Sequence, residues 1–362
     1  IDADIKGPGK AVGPYFDETP LKDSLGTTLQ ELKLDGDVNA RLHLDIPLNG
    51  ELVTAKGEVT LRNNSLFIKP LDSTLKNLSG KFSFINGDLQ SEPLTASWFN
   101  QPLNVDFSTK EGAKAYQVAV NLNGNWQPAK TGVLPAAVNE ALSGSVAWDG
   151  KVGIELPYHA GATYNVELNG DLKNVSSHLP SPLAKPAGEP LPVNVKVDGN
   201  LNSFELTGQA GADNHFNSRW LLGQKLTLDR AIWAADSKTL PPLPEQSGVE
   251  LNMPPMNGAE WLALFQKGAA ESVGGAASFP QHITLRTPML SLGNQQWNNL
   301  SIVSQPTANG TLVEAQGREI NATLAMRNNA PWLANIKYLY YNPSVAKTPG
   351  DSTQSSPFPT TE

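Results

Sequence analysis

Apolar and polar residues alternate one for one along most of this chain, and that period of two restricts it to strands with one oily and one wet face. Val38, Ala40, Leu42, Leu44 and Ile46 fall on one side of a strand, with Asn39, Arg41, His43 and Asp45 on the other. Val53, Ala55, Gly57, Val59 and Leu61 oppose Thr54, Lys56, Glu58, Thr60 and Arg62 in the same way. The pattern recurs over 116–122, 164–168 and 193–197. Each such strand belongs to an antiparallel sheet covered on one side only.

Asn-Gly or Asp-Gly pairs stand at Asp35-Gly36, Asn49-Gly50, Asn86-Gly87, Asn123-Gly124, Asp149-Gly150, Asn169-Gly170, Asp198-Gly199, Asn257-Gly258 and Asn309-Gly310. Such a pair suits a type I′ turn, so the spacing predicts hairpin after hairpin. Hydrophobic residues make up 39% of the 362 and aromatics 7%. Few helical segments are left to cover so long a sheet. It either folds on itself as a sandwich or barrel or curls into a trough with its apolar face inward.

The order of segments predicts a β-groove segment over 1–130, then a second over 131–255 with a short helix near 133–142 and Pro-rich loops at 179–192 and 240–255. Region 256–342 opens with a helix at 258–270, in which Trp261, Leu264 and Phe265 share a face, and continues in strands. That helix is read as a plug or cap on one end of the sheet, with a gate or docking element as the functional alternative. Residues 343–362 are rich in Ser, Thr and Pro and predict a flexible tail.

Catalytic vocabulary is missing. The five histidines (His43, His159, His178, His215, His282) are scattered without metal-ligand spacing, and cysteine is absent. There is no GxSxG, and Gly7-Pro8-Gly9-Lys10 lacks the length and the Ser or Thr of a phosphate-binding loop. Asp35 with Asp37, or Asp45 with Glu51, read as solvated turn acids and not as a glycosidase pair. The tryptophans Trp98, Trp126, Trp148, Trp220 and Trp233 are spaced too loosely for a carbohydrate platform. A net charge of −8 and a pI near 5.2 argue against nucleic acid. No enzyme, metal site or cofactor is expected. No stretch reaches the ~18–20 apolar residues that cross a bilayer, and the chain reads as a segment of a longer protein, opening at Ile1.

Four stretches carry a family likeness: TLKNLSGKFSFINGDLQSEPLTASWFNQPLNVDFSTKEG at 74–112, WQPAKTGVLPAAVNEALSGSVAWDGKVGIELPY at 126–158, HLPSPLAKPAGEPLPVNVKVDG at 178–199 and INATLAMRNNAPWLANIKYLYYNPSV at 320–345. Through them the chain resembles the central periplasmic region of AsmA-like envelope proteins of Gram-negative bacteria. The resemblance implies a mainly β fold, a long curled antiparallel β-sheet forming a repeating, taco-like β-groove with a few short helices. It also implies an inner-membrane anchor and an outer-membrane end outside this segment, and phospholipid acyl chains as the ligand. Bridge-like lipid transport in support of the outer-membrane permeability barrier is the implied activity, with no catalytic residues. The alternative is an envelope assembly factor that pairs with client β-strands, a TamB-like role in outer-membrane protein insertion. Possible envelope protein partners are not identified by sequence.

Strands of clear phase supply the candidate lipid-groove lining: Val38, Leu42, Leu44, Val59, Leu61, Phe82, Phe84, Val105, Phe107, Val118, Val120, Val152, Ile154, Val166, Val195 and Val197. Periodicity does not separate a groove lining from a packed sandwich core.

Overall fold

The computed structural model describes residues 1–11, 32–49, 52–69, 73–269 and 277–343. The first block contains β1 (Asp2–Pro8), β2 (Leu32–Asp35), β3 (Asp37–Asp45), β4 (Thr54–Ile68), β5 (Ser73–Ile85), β6 (Asp88–Ser91), β7 (Leu94–Trp98), β8 (Gln101–Glu111) and β9 (Ala115–Trp126). After helix α1 (Ala136–Asn139) come β10 (Leu142–Gly144), β11 (Val146–Pro157), β12 (Thr163–Asp171), β13 (Val175–Ser177), β14 (Pro192–Asn200), β15 (Ser203–Ala210), β16 (Asn214–Leu221) and β17 (Leu226–Ala234). The last block holds β18 (Gly248–Asn252), β19 (Met256–Asn257), helix α2 (Gly258–Ala269), β20 (Ala277–Ser278), β21 (Ile283–Leu292), β22 (Gln295–Thr307), β23 (Gly310–Gln316), β24 (Ile320–Arg327) and β25 (Leu333–Leu339).

Twenty-three of these strands hydrogen-bond into one curled sheet, while β10 and β13 form a separate ribbon. Most strands pair antiparallel with the next in the chain, as alternation predicts, for example β3 with β4 and β4 with β5, while β1 skips β2 to pair with β3. The next level is shared by β6 and β7, which are bent apart at Glu92-Pro93 and both reach β8. The meander then runs unbroken from β8 through β17.

Three short strands depart from the antiparallel expectation: β19 runs parallel to β21, β20 runs parallel to β17, and β18 departs most. β18 runs parallel to β17 on one side and to β21 on the other, and it lies inside 240–255, which the sequence reading assigns to a Pro-rich loop. The first run of prolines ends at Pro244 and the next residues of that type are Pro254 and Pro255; between them Gly248 to Asn252 supplies an alternating pair of apolar residues, Val249 and Leu251. A parallel neighbour requires the chain to return across the sheet. Segment 235–247 makes that return over the polar face: Asn217 Nδ2 donates to the Pro241 carbonyl at 3.2 Å and Arg230 Nη1 to that of Pro244 at 3.3 Å. Beneath it His215, Ile232 and Ala234 are buried.

The expected hairpin turns are corrected at most Asx-Gly pairs. Asn86-Gly87 turns between β5 and β6; between β22 and β23 the turn is Ala308-Asn309, and Gly310 already pairs with Thr307. Asn123-Gly124, Asp149-Gly150, Asn169-Gly170 and Asp198-Gly199 lie within β9, β11, β12 and β14. What these glycines provide is room for a neighbour. A methyl group on Gly199 would meet the Tyr164 ring at 2.6 Å, and one on Gly150 would meet Leu168 Cδ2 at the same distance. Bulky side chains therefore lie flat across glycine on the inner face, which lets the sheet curl. Asp35-Gly36 bends β2 away from β3, and Asn64 fixes that bend by donating from Nδ2 to the carbonyls of Asp35 and Asp37 at 3.1 Å each. Asn257 Oδ1 accepts from the Ala259 backbone N–H at 3.1 Å and caps α2. Gly50 lies outside the described residues.

The helix expected near 133–142 is confined to Ala136–Asn139, because Pro135 starts it and Ser143-Gly144 already pair with β13. The helix expected over 258–270 is observed as Gly258–Ala269. Of the tail expected at 343–362, residues 344–362 lie outside the described residues.

Burial is sparse and local. One core cluster joins Val38, Leu61, Leu75, Leu78, Leu94, Ala96 and Leu103 across β3, β4, β5, β7 and β8. Nearby, Tyr116 is fully buried, its hydroxyl within hydrogen-bond distance of the Gly87 carbonyl (2.8 Å) and Thr109 Oγ1 (2.6 Å); burial pushes its pKa up to about 12. At the far end the buried Glu319 carboxylate accepts from Asn298 N (2.6 Å), Asn298 Nδ2 (2.8 Å) and Asn342 Nδ2 (3.1 Å). Burial alone raises a carboxyl pKa, and these donors outweigh it, leaving Glu319 below the ordinary value.

Two outcomes follow for stability. Gly57→Ala is expected to cost about 1–3 kcal/mol in urea unfolding, since the new Cβ collides with the Arg41 carbonyl and the Phe84 ring. Gly161→Ala, with its nearest neighbour 3.8 Å away, is expected to be close to neutral. Because the Glu319 pKa is depressed on folding, its contribution is present above the unfolded carboxyl pKa and is lost as pH falls through the folded value. Glu319→Gln is expected to lower stability at pH 7 and flatten that acid-side dependence in unfolding series across pH 3–7.

Candidate functional site: a continuous apolar face

Cross-strand register turns single-strand alternation into rows that run across the sheet. One row passes through Val105, Leu122, Gly150, Leu168, Val195, Gly208 and Phe216 on successive strands from β8 to β16. It continues through Trp233, Leu251, Leu285, Ile302, Ala315, Ala322 and Ile336 on β25. Two residues along each strand a parallel row connects Phe107, Val120, Val152, Val166, Val197 and Leu206. Beyond Ser218 it resumes in Ala231, Val249, Ile283, Ser304, Val313, Leu324 and Ala334. At ~4.8 Å per strand these rows extend on the order of 60 Å. They cross the parallel β18 without losing phase.

The opposite face is polar in the same register. Asn104, Asn123, Asp149, Asn169 and Asn194 face one another across five strands, and Asn104 Nδ2 donates to Asn123 Oδ1 at 2.9 Å and Asn194 Nδ2 to Asn169 Oδ1 at 2.7 Å. Cross-strand amide bonds of this kind fix which face is wet.

The candidate lining residues separate by position. Leu42, Leu44, Phe84, Val118, Val120, Val152, Ile154, Val166, Val195 and Val197 are half-buried on the inner face. Val59, Phe82, Val105 and Phe107 share that face and pack on the margin of the core cluster. Val38 and Leu61 differ: at 7% and 4% exposure they belong to the packed core, because the long strands β4 and β5 lean against β7 and β8 there.

Sequence spacing also missed part of the lining. Trp98, Trp126 and Trp148, scattered in the chain, meet on one margin of the inner face, with Trp126 edge-on to Trp98 at 6.4 Å and to Trp148 at 4.9 Å. They pack on the core cluster and do not form a flat exposed platform. Toward the other margin Tyr164, Gly199, Phe204 and Trp220 form one row across β12, β14, β15 and β16, with Phe204 and Trp220 stacked at 6.0 Å. Burial raises the Tyr164 pKa. Tyr164 is in step with Val166 on β12, so its face was legible from alternation, whereas Phe204 and Trp220 lie on β15 and β16, which contribute no residue to the set.

Among the described residues no three His, Cys, Asp or Glu side chains group as metal ligands, and no helix is long and apolar enough to cross a membrane. What the arrangement offers is a strip of hydrocarbon with solvated polar groups on its reverse. Truncation distinguishes lining from core: Leu94→Ala, at a residue 2% exposed, is expected to cost about 2–5 kcal/mol. Val118→Ala and Val195→Ala are expected to cost under about 1 kcal/mol each in the same unfolding measurement, as little is packed above them.

The family described as YhdP protein matches residues 1–361. A curated protein of Escherichia coli (strain K12), "Intermembrane phospholipid transporter YhdP", is 98% identical over all 362 residues, which span 29% of that protein's length. No solved structure matches. The chain belongs to the YhdP family.

Proposed function

We propose that this chain is one stretch of a passive phospholipid conduit in the cell envelope, with acyl tails lying along the inner-face rows and headgroups kept in water at the open side. The observation that carries the reading is the unbroken cross-strand register of half-exposed apolar residues from Phe107 to Leu206. So large an exposed apolar surface implies something that covers it. A long, uniform strip favours a chain-like ligand over a compact one. The printed name of the 98% identical relative, an intermembrane phospholipid transporter, supports the same ligand class and gives no support to the strand-pairing alternative.

Sheltering a tail contributes ~0.8 kcal/mol per CH₂ removed from water. As a tail advances, it leaves one rung of the row while covering the next, so burial is nearly conserved and sliding meets no deep trap. No bond is made or broken, and no catalytic group is needed. Contact with either membrane is assigned to parts of the longer relative outside these residues.

Val118→Asp and Val195→Asp place a carboxylate on the strip and are expected to reduce phospholipid recovered with the purified chain several-fold by mass spectrometry. Thr207→Asp, which faces Lys196 on the polar side, is expected to leave recovery unchanged. Equal recovery from all three variants, each confirmed folded by circular dichroism, would overturn the assignment.

A further inference from the structure

The two margins of the sheet from β8 to β17 are built differently. Register brings the connections 112–114, 158–162, 201–202 and 222–225 to one margin, since Pro157 pairs with Ala115, Thr163 with Asn200 and Ser203 with Leu221. All four are short loops. At the opposite margin Trp126 pairs with Val146, Asp171 with Pro192 and Ala210 with Asn214, and the connections there are 127–145, 172–191, 211–213 and 235–247. The first two contain α1 and the ribbon strands β10 and β13.

Charge divides along the same line. In a chain of net charge −8, the four short loops hold Lys114, His159 and Lys225 and no Asp or Glu, whereas Glu140, Glu189, Asp213, Asp236 and Glu245 lie in the opposite connections. Lys114 and Lys225 are exposed, and neither ammonium has an ion-pair partner among the described residues. Glu155, Asp198 and Glu205, close to this margin, alternate onto the polar reverse, while Glu111 at the end of β8 keeps the inner phase. Just inside the loops the inner face changes from aliphatic to aromatic, through Val118, Ile154, Tyr164, Gly199, Phe204 and Trp220. Phe279 stands edge-on to Trp220 at 6.4 Å, and it and Leu201 of the β14–β15 loop are each 63% exposed. No described residue hydrogen-bonds the Tyr164 hydroxyl, which lies across Gly199. Rings with an apolar body and a polar tip suit the boundary where hydrocarbon gives way to water.

We infer that phospholipid headgroups lie along this margin, their phosphates facing the loops of Lys114 and Lys225 and their ester groups level with Tyr164, Phe204 and Trp220, with the tails crossing from there onto the rows of Val166 and Val195. The two lysines stand about six strand spacings apart, on the order of 30 Å, so they face successive lipids along the path and not one phosphate. This inference rests on the conduit reading, and its test keeps the two apart. Because the sequence lacks cysteine, a bimane can be attached singly at Leu201→Cys, at Ala212→Cys beyond the opposite end of β15, or at Val166→Cys on the strip. Each labelled chain would be loaded from phosphatidylcholine vesicles that carry a nitroxide either on the headgroup or near the end of an acyl chain, then separated from the vesicles. The headgroup nitroxide is expected to quench Leu201→Cys several-fold more than Ala212→Cys, and the acyl nitroxide to quench Val166→Cys most. Adding Lys114→Glu and Lys225→Glu, with the circular dichroism spectrum unchanged, is expected to lower headgroup quenching at Leu201→Cys several-fold. Headgroup quenching at Ala212→Cys that equals or exceeds that at Leu201→Cys would overturn the choice of margin, and unchanged quenching in the lysine variant would overturn the part given to Lys114 and Lys225. Absence of acyl quenching at Val166→Cys would overturn the conduit reading and this inference with it.

Discussion

The structure depends on one constraint, that side chains alternate with a period of two while the hydrogen-bond ladder keeps every strand in step with the next. A slip of one residue at any pairing would send a whole strand's apolar set to water. Nothing in a distant core could correct it, because packing is confined to small clusters such as the one around Leu94 and Leu103. Local devices keep the phase instead. The amides of Asn104, Asn123, Asn169 and Asn194 bond across the polar face. Glycines such as Gly150 and Gly199 admit Leu168 and Tyr164 on the other.

Those devices explain which parts of the fold were legible. Alternation over 38–46, 116–122 and 193–197 needs only neighbours in sequence, and it placed β3, β9 and β14 with the correct face inward. The Asx-Gly pairs misled because two different physical requirements select the same dipeptide. A tight turn wants positive φ, as at Asn86, while a curled strand wants an absent Cβ inside and an amide or carboxylate outside, as at Asn169-Gly170. Only the fold tells the two apart. The parallel strand β18 was hidden by flanking prolines, and the core role of Val38 and Leu61 by the fact that periodicity reports a face and not what covers it.

Closure and openness are therefore distributed along one sheet. Near β4 to β8 the inner face packs on itself; over β9 to β16 it remains a half-exposed strip; beyond it a second small cluster joins Ala235, Met253 and Met256, with Trp261 of α2 packed against it. Where its reverse is polar, a sheet can present such a strip without collapsing onto it, since a sandwich would need a second apolar face that the described residues of β8 to β14 do not supply. Family membership and the physical reading meet at this point: the apolar rows run across the sheet over a distance far longer than one small-molecule pocket.

The central claim is that the strip is occupied by lipid tails. An experimental structure of the chain loaded with phosphatidylcholine brominated on its acyl chains tests it most directly. Bromine peaks following the inner face from Phe107 toward Leu206 are the predicted result. Peaks confined to the polar reverse around Asn123 and Asn169, or an inner face closed by the chain's own side chains with no bromine along it, would contradict the account.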